Sequence, residues 1–439
     1  MTRLLAALAL ALATSTAAAQ PMRYPVIPIQ YEHLPNGLKV VLAPDSSASL
    51  VMIGVYYAIG QRTEPVGREG FAHLFEHLMF EGSTNLPPGA LIRLIESNGG
   101  TFNGNTRFDF TDYFEITPPA ALERMLWAEA DRMRGLVVDD AALGRQKAIV
   151  KSEIRLSYVN QPDGGFPWLD VPQVANRNWQ NAHDFRGRPD EIDSATLADA
   201  RAFHSAYYVP NNAVLVVSGA FRVSEAQAWI DKYFSEIPRG DVVRRPDVTE
   251  PPQTAERRGV RIDSLAKRPV LAVAFHMPPR HTRAFWATVL IDQLLIQGED
   301  SWLAPDAVFG GTNLQGNFYN YEGPMLWTIA ARYRSLDQTD TIVRSIQDAL
   351  ARLRKQPVDS TALRVARQKA HSAYYDILDN LGGFGRLDLL ASFALFDDDP
   401  AEINRIEASL DEVTAADIQA AARDYLAPKQ ATIYVRRPA

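Results

Sequence analysis

Two histidines and a glutamate stand close together in the stretch GFAHLFEHLMFEGS, from Gly70 to Ser83. His73 and His77 are four residues apart, so they share one helix face, and Glu76 borders that face. Two imidazoles in this arrangement can bind one tetrahedral metal ion, with the carboxylate close enough to touch a water on the ion. The alternative is an amphipathic helix that only buries its apolar residues. With eight histidines in 439 residues, the pattern is rare by chance and favours a metal site.

A catalytic zinc ion of this kind needs a third protein ligand and one open position for water. The chain has no cysteine, so a carboxylate is the remaining good ligand type. Glu153, on a predicted helix 76 residues after His77, is one candidate. Spacing leaves several carboxylates open, and the others have ordinary roles as exposed charges or helix caps: Glu69, Glu81, Glu96 and Asp109.

Composition limits the classes of protein to which the chain can belong. A length of 439 residues suggests two or three domains. An apolar fraction of 46% and a charged fraction of 22% are those of a folded globular protein. The net charge of −7 is spread without long runs of one sign, so a nucleic-acid partner is not expected.

The N-terminus, MTRLLAALALALATSTAAAQ, combines one arginine, an apolar run and a small-residue Ala17-Ala18-Ala19 end. This layout predicts a secretory signal peptide over residues 1–19, too short to cross a bilayer. The alternative is a disordered alanine-rich start. No later stretch reaches transmembrane length, so we expect a periplasmic or otherwise secreted protein.

The chain contains an internal repeat. Thr196 to Val217 aligns without a gap with Thr414 to Val435, at an offset of 218 residues. Both segments predict a helix, a proline-marked turn and a strand. A period of this length indicates duplication of a whole domain. We therefore predict an N-terminal domain over 20–240, a proline-rich and charged linker over 241–258 and a C-terminal domain over 259–439.

Each half mixes strand and helix patterns without regular alternation. This mixture predicts the α+β class, with two homologous domains that each pack helices on a mostly antiparallel sheet. The second half has no His-x-x-Glu-His, and its corresponding stretch TRAFWATVLIDQLL is apolar. We expect one active and one supporting half.

The His73-Leu-Phe-Glu76-His77 stretch, followed by Glu153, resembles the inverted zinc motif of the pitrilysin-type (M16) metallopeptidases. The resemblance covers nearly all of the chain after the N-terminal segment and is to the short, two-domain subfamily, which implies that the two domains form a clamshell. It implies that His73, His77 and Glu153 bind one zinc ion per chain. It also implies that Glu76 is the base that takes a proton from water and passes it to the leaving amine.

The stretch NGGTFNGNTRFDFTDYFEITP is similar to the family's Gly-Gly-x-x-Asn-Ala-x-Thr segment. Phe102 to Ile116 alternates and predicts an edge strand that carries Asn103 and Thr106. In the family such a strand pairs with the substrate backbone, so these two residues are predicted to bind substrate. The alternative is an internal hairpin strand whose glycine and asparagine residues serve turns.

Two positions depart from the family's pattern. Gln146 stands seven residues before Glu153, where the family has a glutamate, and its amide can only hydrogen-bond behind the ligands. Trp302 stands where active members bring an arginine from the second domain. Tyr319 or Tyr321 can stand in for the accompanying tyrosine. The candidates to replace the arginine are Arg332 and Arg334 of this chain or the arginine of another subunit.

These patterns together predict an exported zinc endopeptidase that cleaves peptides or unfolded segments. The missing arginine predicts a heterodimer with a paralogous M16-like subunit that supplies an Arg/Tyr pair. The competing hypothesis is a non-catalytic scaffold or core subunit of an M16-like complex. A purely structural zinc domain needs four protein ligands, which this pattern does not resemble.

Overall fold

The computed structural model of the chain describes residues 24–298, 300–303, 322–380 and 383–439. The predicted signal peptide, residues 1–19, lies outside the described residues. The strands are β1 Gln30–His33, β2 Lys39–Pro44, β3 Val51–Tyr57, β4 Thr101–Thr106, β5 Thr111–Thr117, β6 Ala213–Gly219, β7 Arg257–Asp263, β8 Val270–His276, β9 Leu326–Arg332 and β10 Thr432–Pro438.

Helices account for most of the remaining structure. Those of the first half are α1 Phe71–Leu78, α2 Ala90–Ser97, α3 Leu122–Arg134, α4 Asp140–Ile154, α5 Val171–Ala175, α6 Trp179–Ala182, α7 Pro189–Ser194, α8 Leu197–Tyr207 and α9 Val223–Phe234. Those of the second half are α10 Arg283–Leu295, α11 Thr339–Lys355, α12 Ser360–Asp379, α13 Phe384–Asp397, α14 Ile406–Asp411 and α15 Ala415–Tyr425. A π-helical turn, Arg155–Val159, extends α4.

Two sheets carry the duplication. The first has the order β1-β2-β6-β3-β5-β4 and the second the order β7-β10-β8-β9. In each sheet one parallel pair, β2 with β6 or β7 with β10, is followed by antiparallel neighbours. The first sheet is therefore the second with one strand added at each edge. The predicted α+β class with mostly antiparallel sheets in two homologous domains is confirmed.

The repeated helix-turn-strand unit folds alike in both halves. Thr196 begins α8 with a capping box to Asp199, and Thr414 begins α15 with the same box to Asp417. Each box satisfies free N–H groups at a helix start. Both helices lead through a proline turn into a strand, β6 or β10, as the alignment predicts.

Each half covers one face of the other half's sheet. One face of the first sheet packs on helices α1, α2, α3, α4, α8 and α9, and its opposite face packs on α13 from the second half. The second sheet packs on α10, α11, α12 and α15, and its opposite face receives α5 from the first half. Because both faces are buried, the central strands β3 and β8 are almost entirely apolar.

The predicted linker, residues 241–258, is extended and held in place. The side-chain amide of Asn178 donates to the backbone carbonyls of Asp247 and Thr249, at 2.6 and 3.1 Å. Gln253 donates to the carbonyl of Ala431 at 2.9 Å. β7 begins at Arg257, so the last two residues of the predicted linker belong to the second sheet.

The predicted edge strand over Phe102 to Ile116 is wrong in its extent. The segment is a hairpin: β4 lies at the edge of the first sheet, and β5 lies between β4 and β3. The turn at 107–110 divides a pattern that alternates across both strands. Among the described helices, none is long and apolar enough to cross a membrane.

Candidate metal centre

Helix α1 holds the two histidines, and a buried carboxylate fixes its first turn. Gly70 precedes the helix with φ 97°, a left-handed conformation that favours glycine. Both oxygens of Glu64 accept backbone hydrogen bonds, from Gly70 N–H at 2.9 Å and Ala72 N–H at 2.6 Å. These bonds satisfy groups that have no partner inside the helix. Burial raises the pKa of Glu64 to about 8, although the two hydrogen bonds act in the opposite direction.

The apolar face of α1 is also present. Phe71, Leu74, Phe75 and Leu78 are buried in the core beneath the first sheet. The amphipathic reading of the stretch is therefore correct as well, and it explains how the helix is held. The core takes the apolar side, which leaves the histidines on the partly exposed side.

His73, His77 and Glu153 meet where α1 packs on α4. Glu153 Oε2 lies 3.4 Å from His73 Nε2 and 3.3 Å from His77 Nε2. Ligands about 2.0–2.1 Å from a tetrahedral ion stand roughly 3.3–3.4 Å apart, so these separations fit zinc. The hydrogen bond from His73 lowers the pKa of Glu153, and the charges of both histidines act in the same direction. The donor set and its spacing therefore fit the ion that the motif implies.

Within the described ranges, these three side chains form the one group of three or more possible metal ligands. The other carboxylates considered from the sequence are not members of this group. Asp109 pairs with Arg62 at 3.4 Å, and Glu96 is exposed on α2. Glu81 accepts from Arg145 at 2.9 Å.

Glu76 is held by the edge strand of the first sheet. The hydroxyl of Thr106 donates to Glu76 Oε2 at 2.6 Å. Gly104, on the same strand, passes so close that a Cβ atom there would lie 3.1 Å from Glu76 Cγ. The strand thus touches the helix beside the metal ligands, because glycine permits this approach.

The two predicted substrate-binding residues have different surroundings. Thr106 is occupied by its bond to Glu76, whereas Asn103 is exposed and its Oδ1 accepts from Gly104 N–H at 3.0 Å. β4 has β5 as its only neighbour in the sheet of the described residues. Its outer backbone edge therefore has no strand partner there.

Gln146 contacts the imidazole of His77, as the sequence comparison implied for a residue behind the ligands. Gln146 Oε1 lies 3.2 Å from His77 Nδ1. Sequence reasoning did not single out Glu64 or give Glu81 a role in the site. Glu64 stands only six residues before the Gly70 that starts α1, so an acidic residue close to a helix start was the available signal.

The second half contributes no arginine at the position of Trp302. The ring of this residue lies 4.0 Å beneath the guanidinium of Arg352, and its backbone N–H donates to the backbone carbonyl of Leu294 at 3.0 Å. Trp302 therefore packs inside the second half. Tyr319 and Tyr321 lie outside the described residues. Arg332 pairs with Asp163 at 2.5 Å, on the segment that follows α4, and the backbone of Arg334 donates to Gln338.

Models of known protein families match both halves of the chain. Residues 39–162 match the family model described as Insulinase (Peptidase family M16), and residues 194–370 match the one described as Peptidase M16 inactive domain. The duplicated fold and the His73, His77, Glu153 cluster define the class, that of two-domain proteins built like the inverted-motif zinc peptidases. The chain belongs to peptidase family M16.

Individual proteins are similar to this chain at modest sequence identity. The zinc protease PqqE of Helicobacter pylori is 29% identical over 284 residues, which are 63% of this chain and 62% of that protein. The mitochondrial-processing peptidase subunit beta of Blastocladiella emersonii is 22% identical and covers 97% of this chain and 92% of its own. The crystal structure of a protease from Helicobacter pylori has a TM-score of 0.85 at 23% identity, over 94% of this chain and all of that chain.

Proposed function

We propose that this chain is an exported zinc-dependent endopeptidase that hydrolyses peptides or unfolded segments of proteins. The observation that carries the proposal is the convergence of two imidazoles on one carboxylate oxygen, at 3.4 and 3.3 Å, on the helix that also carries Glu76. The proposed ligands are His73, His77 and Glu153. Zinc held by them, one ion per chain, would polarise a peptide carbonyl and acidify water.

Glu76 has the role of general base. It is a carboxylate on the ligand face of α1, so it can accept a proton from the attacking water and pass it to the leaving amine. Thr106 holds one of its oxygens at 2.6 Å, which leaves the other oxygen for proton transfer. The edge strand thereby fixes the orientation of the base before substrate arrives.

The substrate backbone is expected to pair with β4. The outer edge of this strand pairs with no other described strand and offers alternating N–H and C=O groups, and an extended peptide that adds there gains main-chain hydrogen bonds with little sequence preference. Because Thr106 of the same strand touches Glu76, a peptide in this register passes beside the base. Asn103 is exposed on β4 and can contact such a peptide.

A paralogous subunit is proposed as the source of a cation for the developing oxyanion. Trp302 is packed under Arg352 and carries no charge, and Arg332 is paired with Asp163. Removing one oxyanion donor from a peptidase typically costs about 10²–10³ in rate. The chain alone is therefore expected to be weakly active, and a heterodimer fully active.

The non-catalytic scaffold is the second candidate function. A non-catalytic scaffold does not need the metal ligands or the base, so its function would not require these four residues to be present in one place. All four residues are present and assembled, which favours catalysis over this alternative. The N-terminal pattern of residues 1–19 supports export to the periplasm or the exterior.

The experiment that tests the function is peptide hydrolysis by the Glu76→Gln variant. Wild-type protein and variant are each purified from a host without the wild-type gene and assayed with its genomic paralogue present. We expect the variant to keep its zinc and its fold and to lose about 10²–10⁴ of the rate. Turnover equal to wild type would remove Glu76 from the base role.

A further inference from the structure

A chain of hydrogen bonds links the imidazole of His77 to a buried carboxylate. His77 Nδ1 lies 3.2 Å from Gln146 Oε1, and Gln146 Nε2 donates to Glu81 Oε1 at 2.7 Å. The other oxygen of Glu81, Oε2, accepts from Arg145 at 2.9 Å. Glu81 is only 9% exposed, so its charge is poorly screened on the side that faces Gln146.

The direction of every bond in this chain is determined by its last member. A carboxylate only accepts, so the Gln146 amide must present its nitrogen to Glu81 and its oxygen to His77. The amide oxygen can only accept, so His77 Nδ1 must carry the proton. His77 Nε2 then has its lone pair on the side of Glu153 Oε2, where the other two ligand atoms lie.

The two helices place these residues in register. His77 lies in the last turn of α1, Glu81 follows three residues after that helix ends at Leu78, and Gln146 and Glu153 are seven apart on α4. The spacing of seven brings Gln146 and Glu153 to one side of α4, and the turn after α1 places Glu81 2.7 Å from Gln146. Helix α1 therefore supplies His73 and His77, α4 supplies Glu153 and Gln146, and the packing of α1 on α4 brings the ligands and the hydrogen-bond chain together.

We propose that Glu81 is a positioning residue of the metal centre, which acts on His77 through the neutral amide of Gln146. It fixes the Nδ1–H tautomer and the ring angle, and it raises the basicity of Nε2 toward the metal. Partners of this kind typically change metal affinity by about 10–100-fold. The inference deepens the proposed zinc function and rests on it.

The first test is zinc affinity of the apo-protein, measured with zinc chloride against a chelator of known affinity. Glu81→Gln removes the charge but keeps the shape, and we expect the affinity to fall by about 10–100-fold. Glu96→Gln, the same change on the exposed face of α2, is the matched control and should bind as wild type. Equal affinity in all three proteins overturns the proposal while leaving zinc binding itself intact.

The second test moves the carboxylate from residue 81 to residue 146, one step nearer to His77 along the hydrogen-bond chain. In the Glu81→Gln/Gln146→Glu double variant, the carboxylate at 146 accepts a hydrogen bond directly from His77 Nδ1–H. The amide at 81 donates a hydrogen bond to the same carboxylate. We expect this variant to recover most of the lost affinity, whereas damage to the fold would not be repaired by the second change. Loss without recovery, at unchanged urea midpoints of the apo-proteins, contradicts the proposal.

The third measurement separates this inference from the zinc function. The ¹⁵N shifts of His77 in the apo-protein report its tautomer without metal. We expect protonated Nδ1 in wild type and a mixed population in Glu81→Gln. A mixture of His77 tautomers already in the wild-type protein overturns the proposed action of Glu81 on His77. If the tautomers are as expected but the protein takes up no zinc, the proposed metal is rejected and the hydrogen-bond chain from Glu81 to His77 stands.

Discussion

The close passage of β4 over α1 provides a sharp test, because one methyl group should disturb it. A Cβ at position 104 would lie 3.1 Å from Glu76 Cγ and 3.2 Å from Phe80 Cε2. Carbon atoms pack at about 3.5–4.0 Å, so Gly104→Ala must push the strand or the Glu76 side chain away by about half an ångström. Thr106 on the same strand would move with it.

The expected size of the effect follows from this displacement. A misplacement of 1 Å near reacting groups can cost about 10² in rate, so half of it should lower kcat/KM roughly tenfold, or about 1.4 kcal/mol. Overpacking should also reduce the free energy of unfolding by about 1–3 kcal/mol. Steady-state peptide hydrolysis and urea unfolding measure the two effects.

Gly144→Ala is the matched control for this change. A Cβ at 144 meets nothing within 4 Å, and the position lies inside helix α4. Alanine there should stabilise the helix by about 0.5–1 kcal/mol and leave hydrolysis unchanged. Full activity in Gly104→Ala, with zinc content equal to wild type, would refute the assigned contact between β4 and the base.

Two further predictions concern pH and the partner. Burial lowers the pKa of His204 to about 4 from an ordinary value of 6.5, so its stabilising contribution is complete above pH 6.5 and is lost as the pH falls toward 4. His204→Gln should therefore lose less stability than wild type between pH 7.5 and 4.5 in urea titrations, and equal losses would show that this group does not titrate as stated. Mixing this chain with its paralogous neighbour should raise turnover per zinc about 10²–10³-fold and produce a larger species in gel filtration. Unchanged turnover with no complex would contradict the heterodimer.

Much of the architecture could be predicted because residues close together in the sequence determine the repeated elements. Thr196 and Thr414 with their acidic partners three residues later are capping boxes, which determine helix starts without help from distant residues. The spacing of His73 and His77 predicted their shared face for the same reason. Only the resemblance to a family selected Glu153 from the other carboxylates, since spacing does not report which helices pack together.

Features that depend on tertiary packing could not be predicted in this way. Helix α13 packs on the first sheet and α5 packs on the second because those sheet faces remain open. The apolar pattern of a helix does not show which sheet it will pack on. The hairpin turn at 107–110 interrupts a pattern whose alternation continues on both sides. Glu64 precedes α1, and only the folded chain shows that both of its oxygens accept from the N–H groups at the start of that helix.

The most direct test of the central claim is the metal content of the purified protein. Inductively coupled plasma mass spectrometry of wild type should find one zinc per chain, and His77→Ala and Glu153→Ala should each lose it. The matched control is His33→Ala, a histidine on β1 outside the cluster, which should keep its zinc. Stoichiometric zinc that survives in His77→Ala and Glu153→Ala would contradict the assigned site.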